Sequence, residues 1–539
     1  MSVRQTVAGV LLVAALALAV GLPALGLQFG IDGNEARHAE IAREMFTTGE
    51  WLVPHQLGKP YIDKPPLYNW VVAAVFQLAG RSGLALARLP SVVTAAIIAV
   101  AVYLLGLRWL DRRAALLAAV MWIAFPINVR WARMARGDLF MSGLIVCAVF
   151  LAALAADARS KGRALAWWTA ASLMAGAALM SKGPQAIFFI AVPVAAMWKA
   201  CRGRWAPPWP WLVLSAVLLC AAGSAWSIAC ELRYPGHMSR LAGYQYVTGF
   251  VEHPSRVCLY ADQLFLLTLP WAVFCFGAFR DAWRRLKRQG LTRLDVAALV
   301  TPVCALAMTL VPNKRAHYLL PLLPFWALFL AGYMTRAAAS PEAQGQTWAR
   351  LFRLALAATL AGAALLAVAG PAAWAAAGGP APGLAAAAVV AAALAVLAGW
   401  GAWHAWRGRC AKALLALAAA SAAASVAAFP LVQSWAGGKV DPEVKAAREI
   451  SALLPPGLPV ASAKMSTFLI FFAFDRSVAF PQTDEDLARF LNASGPRAVI
   501  LDAENFAILP RLTSRPVKEL GRWTLKTKPF YQAVAARVD

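Results

Sequence analysis

Charge is scarce in this sequence, and negative charge is scarcest. Only 14% of the 539 residues are charged and 61% are hydrophobic, with a mean hydropathy of +0.61, whereas an ordinary soluble domain is about a quarter charged and about half apolar. That shortage excludes a soluble globular fold. The eight cysteines contain no CxxC spacing, so a thiolate metal site is not indicated. Cys230 and Cys258 flank one loop and are the candidate pair for a disulfide. The six histidines show no ligand spacing, and neither a metal nor a cofactor is expected. A glycine-rich phosphate loop is also missing from the last hundred or so residues.

Long apolar runs take the place of charge. Thirteen segments approach the ~17–25 residues needed to cross ~30 Å of hydrocarbon as a helix. They lie at roughly 6–27, 89–108, 113–129, 139–156, 165–180, 184–199, 209–229, 262–279, 295–311, 316–334, 351–370, 384–405 and 411–430. The first run is read as a span and not as a cleaved leader, because it is long and Pro23 and Gly26 break up its end without a small-x-small site. Basic residues set orientation, since short loops rich in Lys and Arg stay on the cytoplasmic side. Six such loops share one side: Arg108 to Arg113, Arg159 to Arg163, Lys199 to Arg204, Arg280 to Arg288, Arg336 to Arg353, and Arg407 to Lys412.

The formal charge of +25 is thus topological and does not point to nucleic acid; a basic rim facing anionic membrane lipids accounts for most of it. Residues 28–70 and 230–261 are outward loops too long and polar to be plain connectors. After residue 436 the charge density becomes ordinary, which divides the chain into a transmembrane domain, 1–436, and an outer, periplasmic domain, 437–539. In the latter, Asp441-Pro442 reads as an N-cap opening an amphipathic helix with Val444, Ile450 and Leu453. Strands at Leu458–Ser462 and Ala498–Leu501 bracket a helix starting at Thr483. The expected fold class is an α-helical polytopic membrane protein of about thirteen spans with a small C-terminal α/β domain.

Polar residues collect on the outer side. Six of the fifteen acidic residues before position 437 fall in loop 28–70: Asp32, Glu35, Glu40, Glu44, Glu50 and Asp63. Asp32 and Glu35 have the spacing of a capping box, which can be structural or can hold a carboxylate in place for chemistry. Asp138 is the second candidate carboxylate, just after Arg130, Arg133 and Arg136, whose i, i+3, i+6 spacing places them roughly on one helical face. These arginines oppose the charge rule, so an anion or the loop's own acids must hold them. Lys64, Lys182, Lys314 and Arg315 also stand at outer helix mouths, beside Tyr61 and Tyr318. Lysine, arginine and tyrosine donors are what phosphate oxygens need.

The motifs that carry a family likeness are Glu35-Ala36-Arg37-His38-Ala39-Glu40, Gly49-Glu50-Trp51-Leu52-Val53-Pro54, Tyr61-Ile62-Asp63-Lys64-Pro65-Pro66-Leu67, Arg88-Leu89-Pro90, Ala135-Arg136-Gly137-Asp138, Ser181-Lys182-Gly183-Pro184, Leu269-Pro270-Trp271 and Tyr318-Leu319-Leu320-Pro321. Over about the first 330 residues the chain resembles the ArnT-type aminoarabinose transferases, which are GT-C glycosyltransferases. The resemblance implies an undecaprenyl-phosphate sugar donor, an acceptor at the outer leaflet such as lipid A, and a bacterial inner-membrane location. It assigns Tyr61, Lys64 and Tyr318 to the donor phosphate and places Asp138 near the reaction centre; Arg136 and Lys182 join the donor-phosphate candidates as outward basic residues.

There are departures from the family pattern. Asn34-Glu35 stands where the family has Asp-Glu, His38 stands where Tyr is common, and an Arg-Phe pair is missing near Thr248-Gly249-Phe250. Asp32, Glu35 and Asp138 are therefore the competing catalytic carboxylates. The alternatives are a related transferase acting on protein or another glycan, and a lipid transporter, although intramembrane charge is almost absent.

Overall fold

A computed structural model describes residues 2–200, 209–236, 259–290, 292–310, 314–378, 381–436, 439–463, 465, 468–474, 476–525 and 532–539. Cys258, the segment around Thr248-Gly249-Phe250 and most of loop 230–261 lie outside them. The chain separates into two compact units.

The first unit takes in Met1–Leu25, Asp63–Leu67 and Leu89–Gly437. Apolar sequence forms helices here because a helix satisfies every interior backbone N–H and C=O within its own segment. In order the helices are α1 (Val3–Gly21), α4 from its sixth residue on (Leu84–Trp109), α5 (Arg112–Ala124), α6 (Pro126–Trp131), α7 (Gly137–Ala156), α8 (Lys161–Lys182), α9 (Gln185–Ala200) and α10 (Trp209–Arg233). Helices Leu259–Leu266, Cys275–Gln289, Arg293–Thr309, Leu323–Ala339, Gln346–Ala376, Ala381–Trp406 and Cys410–Ala436 follow. Seven described helices are long and apolar enough to cross a membrane, or eight if the pair Leu259–Leu266 and Trp271–Gln289, bent by 111°, is one span. The other five expected spans coincide with helices of 13 to 25 residues: α5, α9, α10, Arg293–Thr309 and Leu323–Ala339.

Small residues bring these helices into contact, as membrane helices without a hydrophobic drive between them require. A Cβ at Gly106 would lie 2.7 Å from the Ala115 backbone, and one at Gly143 would lie 2.4 Å from Thr94. Around these contacts Tyr103, Trp122, Phe125, Trp271, Phe325 and Phe329 are fully buried.

The second unit joins Gly26–Ile62 and Tyr68–Arg88 to Gly438–Asp539. It therefore takes most of loop 28–70 together with the C-terminal segment, where the sequence places that loop with the membrane helices. Its N-terminal part holds α2 (Gly33–Thr48), the hairpin β1 (His55–Gln56) and β2 (Lys59–Pro60), and most of α3 (Leu67–Ala79). The C-terminal part is a five-stranded sheet with β3 (Val460–Ser462), β4 (Val478–Ala479), β5 (Arg497–Asp502), β6 (Val517–Thr524) and β7 (Gln532–Val538). Strand order is β4-β3-β5-β7-β6; β3 is parallel to β4 and β5, while β7 is antiparallel to β5 and β6. Thr483 caps helix Asp484–Leu491 through the Asp486 N–H at 3.1 Å.

Two expectations for helix Pro442–Leu453 change. Val444 and Ile450 are buried, but Leu453 is 50% exposed and Leu454 is buried instead. Asp441 stands at the N-cap without capping its own helix; its carboxylate accepts the Gly30 and Ile31 N–H groups at 3.1 and 2.7 Å. Ala36 of α2 packs with Val444 and Leu469 in one apolar cluster. The loop and the C-terminal segment thus share a core.

Candidate active site

In the second unit, most of the loop's carboxylates are committed to structure. Asp32 caps α2, its Oδ1 accepting the Asn34 and Glu35 N–H groups at 3.0 and 3.3 Å. Glu35 is 1% exposed and accepts both Nε and Nη2 of Arg88, at 2.7 and 3.0 Å. The third Arg88 donor, Nη1, reaches the Leu27 carbonyl at 3.0 Å. This fork-to-fork pair has the geometry of the strongest ion pairs, and it holds the first turn of α2 against the start of α4.

Glu40 is fully buried and bidentate with Arg43 at 2.7 and 2.8 Å. Burial pushes its carboxyl up to about 7 against the pull of Arg43. Glu44 accepts the Leu57 and Gly58 N–H groups at 2.6 and 3.1 Å. It thereby pins the tip of the β1–β2 hairpin, where both central residues have positive φ, 52° and 72°, as a type I′ turn requires. Glu50 accepts the Leu52 and Val53 N–H groups. The acidic cluster is thus largely a set of clamps for its own backbone and arginines. Tyr61 is buried here, with its N–H on the Pro54 carbonyl at 2.7 Å.

In the first unit the structure assembles a different centre. Asp138 sits in the first turn of α7, where the helix dipole favours a carboxylate. Lys182, the last residue of α8, is ion-paired with its Oδ1. Arg136 Nε stands 3.4 Å from Oδ2, and His317 Nε2 stands 3.4 Å from Oδ1. His317 and Tyr318 belong to a short 3₁₀ turn ahead of helix Leu323–Ala339 and outside it. The His317 imidazole stacks on Trp131 at 5.6 Å and meets the Tyr318 ring edge-on at 4.8 Å. Lys182 Nζ lies 5.0 Å from the Tyr318 ring centroid, and the Arg136 guanidinium lies 5.5 Å from that of Trp131. Burial, reinforced by Lys182, Arg136 and Arg315 and opposed by Asp138, pushes His317 down to about 4. It is neutral at physiological pH.

Four residues expected from sequence, Arg136, Asp138, Lys182 and Tyr318, therefore converge. His317 and Trp131 join them unpredicted: the sequence offers His317 only as one of six histidines without ligand spacing, although it is the direct neighbour of Tyr318. The three arginines do not share a face, because α6 ends at Trp131 and the chain turns. Arg133 is buried, donates to the Gly21 carbonyl at 2.6 Å and lies 3.8 Å over Phe429, so it serves packing. Arg130 is exposed. Lys64 lies in the first unit and Tyr61 in the second. Among the described residues no group of three or more His, Cys, Asp or Glu is placed to hold a metal.

One carboxylate thus faces two permanent cations, an excess of positive charge suited to a second anion. A neutral imidazole and a phenol beside it supply further hydrogen-bonding groups.

Known proteins resemble the chain in sequence and in fold. Residues 63–226 match the family model described as dolichyl-phosphate-mannose-protein mannosyltransferase. An undecaprenyl phosphate-alpha-4-amino-4-deoxy-L-arabinose arabinosyl transferase of Erwinia tasmaniensis is 29% identical over 308 residues, 55% of this chain and 54% of the relative. Its Pseudomonas aeruginosa counterpart is 27% identical over 61% of this chain and 60% of its own length. The chain thus matches little more than half the length of these curated relatives. In fold, the crystal structure of ArnT from Cupriavidus metallidurans bound to undecaprenyl phosphate superposes with a TM-score of 0.69 at 17% identity, covering 98% of this chain and 97% of that one. The Archaeoglobus fulgidus oligosaccharyltransferase superposes with a TM-score of 0.52 at 14% identity, covering 94% of this chain and 70% of that one. With the sequence match confined to part of its length and the fold match running through nearly all of it, the protein is a polytopic membrane protein that shares the fold of the ArnT structure.

Proposed function

We propose that the protein is a glycosyltransferase that moves a sugar from undecaprenyl phosphate to an acceptor on the periplasmic face of a bacterial inner membrane, most directly lipid A. In this reading the chain crosses the membrane thirteen times, residues 28–70 and 437–539 face the periplasm, and the six basic loops face the cytoplasm. The observation that carries the proposal is the Asp138 centre, where Arg136, Lys182, His317 and Tyr318 gather around one buried carboxylate. The names of the matched relatives supply the donor and its sugar, and the resemblance to the aminoarabinose transferases supplies lipid A as the acceptor.

A polyprenyl phosphate leaves as an anion, and its developing charge is stabilised by preorganised cations at lower cost than by water that must reorient. Arg136 and Lys182 fill that role, with Lys64, Tyr61 and Tyr318 as further donor-phosphate contacts. Asp138 orients the two cations and the acceptor nucleophile. A phosphate acceptor is already ionised and asks little of a general base, whereas a sugar hydroxyl asks more. Asp32, two residues before Asn34, is the candidate to replace the family's aspartate, while Glu35 is held by Arg88. The matched family model, named for transfer of mannose to protein, favours protein as the second acceptor class.

The test is transfer of aminoarabinose from its undecaprenyl phosphate to lipid A by the purified full chain, with Asp138→Asn, Lys182→Met, Lys64→Ala and Asp32→Asn as variants. The first two should each lose about 10²–10³ in rate, the scale of one lost electrostatic contact in the transition state. Asn caps a helix as well as Asp does, so Asp32→Asn reports on chemistry alone. Full activity in all four variants would overturn the assignment. Mass spectrometry of lipid A and of surface glycoproteins, with and without the gene, separates the two acceptor classes.

A further inference from the structure

From Ala343 to Val440 the chain contains no Asp or Glu, yet Arg350, Arg353, Arg407, Arg409 and Lys412 fall within that stretch. The fold brings all five to one end of a three-helix group. Gln346–Ala376 begins there, Ala381–Trp406 ends there and Cys410–Ala436 begins there. Among the described residues no carboxylate pairs with any of these cations. Elsewhere the protein treats basic residues differently: Arg285 and Arg336 are both paired with Asp281, and Arg285 also reaches Asp295.

The uncompensated end is built and not merely decorated with charge. The turn Arg407-Gly408-Arg409 folds back so that the Arg409 N–H donates to the His404 carbonyl at 2.8 Å. Gly408 has φ of 73°, and a Cβ there would lie 3.5 Å from Nη1 of Arg353, which brings the first helix to the turn. The Arg407 and Arg409 guanidinium groups lie 4.7 and 5.7 Å from the Trp403 ring centroid. His404 is 3% exposed, held edge-on between Trp400 and Trp403 at 4.4 and 4.7 Å, and its Nδ1 has no hydrogen-bond partner in the protein. Trp400, Trp403 and Trp406 are exposed, in the amphipathic arrangement that tryptophan adopts at a membrane surface.

We propose that this end of the helix group binds the phosphodiester headgroup of an anionic membrane phospholipid. Arg353, Arg409 and Lys412 supply the charge. The first turn of Cys410–Ala436 adds a helix N-terminus, which favours an anion. The buried His404 supplies a further polar contact, and Trp400 and Trp403 flank the glycerol region. The ligand is a lipid and not free phosphate, because residues 400–412, which hold Arg407, Arg409 and Lys412, also hold three exposed indoles.

The experiment is native mass spectrometry of the purified full chain with added phosphatidylglycerol, phosphatidylcholine or inorganic phosphate. The wild type should retain phosphatidylglycerol in preference to phosphatidylcholine. Each cation near a membrane surface is worth about fivefold in affinity, so Arg353→Gln, Arg409→Gln and Lys412→Gln should each weaken retention by about that factor, and the triple variant by about a hundredfold. Lys412→Arg should restore it. Equal retention of both lipids, unchanged retention in the single variants, or displacement of phosphatidylglycerol by an equal concentration of inorganic phosphate would overturn the proposal. If the triple variant does not fold, the single variants decide the matter.

Discussion

Replacing Arg88 with Met removes one half of a buried ion pair and leaves the other half in place. Glu35 is 1% exposed and Arg88 6% exposed, so water cannot take over the lost contacts. Breaking such a pair from one side costs about 3–5 kcal/mol, most of it the cost of an uncompensated buried carboxylate. The Leu27 carbonyl loses its donor at the same time. In the second unit, of roughly 160 residues, 1 kcal/mol corresponds to about 2–4 °C, so the melting transition reporting on that unit should fall by about 6–20 °C. Glu35→Gln should fall similarly, because it strands the arginine charge. The assay is thermal unfolding in detergent beside sugar transfer below the transition. The pair would be refuted as structural if Glu35→Gln melted like the wild type and lost transfer; that combination would return Glu35 to the chemistry.

Two further perturbations follow from the geometry. His317 is held down to about 4 by burial, so the unfolded chain binds more protons than the folded one between about 4 and 6.5. Stability should therefore be fully present above about 6.5 and decline as pH falls toward 4, and His317→Gln should flatten that part of the melting-against-pH curve; an unchanged slope refutes the reading. Gly58→Ala places a side chain at φ of 72° with its Cβ 2.8 Å from that of Phe480, and should cost about 1–3 kcal/mol through strain and overpacking, read as a lower denaturant midpoint; no change would mean that the hairpin is not packed there.

Local chemistry made much of this architecture readable from the chain itself. Apolar runs such as 351–370 and 411–430 mark helices because an isolated backbone in hydrocarbon can satisfy its hydrogen bonds in no other simple way, and helices stand at both. Asp32 and Thr483 declare helix starts because a cap acts over three residues. Helix Leu67–Ala79 is not legible in the same way, since Asn69 and Gln77 interrupt its apolar run and Gly80 closes it. What only the tertiary structure decided are the pairings between distant positions. Glu35 finds Arg88 across 53 residues, Asp441 finds Gly30 across 411, and His317 reaches Asp138 of α7 from a 3₁₀ turn. No periodicity encodes such contacts, because the partner of a buried charge is set by which helix ends the fold brings together. The same holds for burial: Leu453 and Leu454 are alike in sequence, but Leu453 is the last helical residue and faces solvent, whereas Leu454 follows in extended backbone and enters the core.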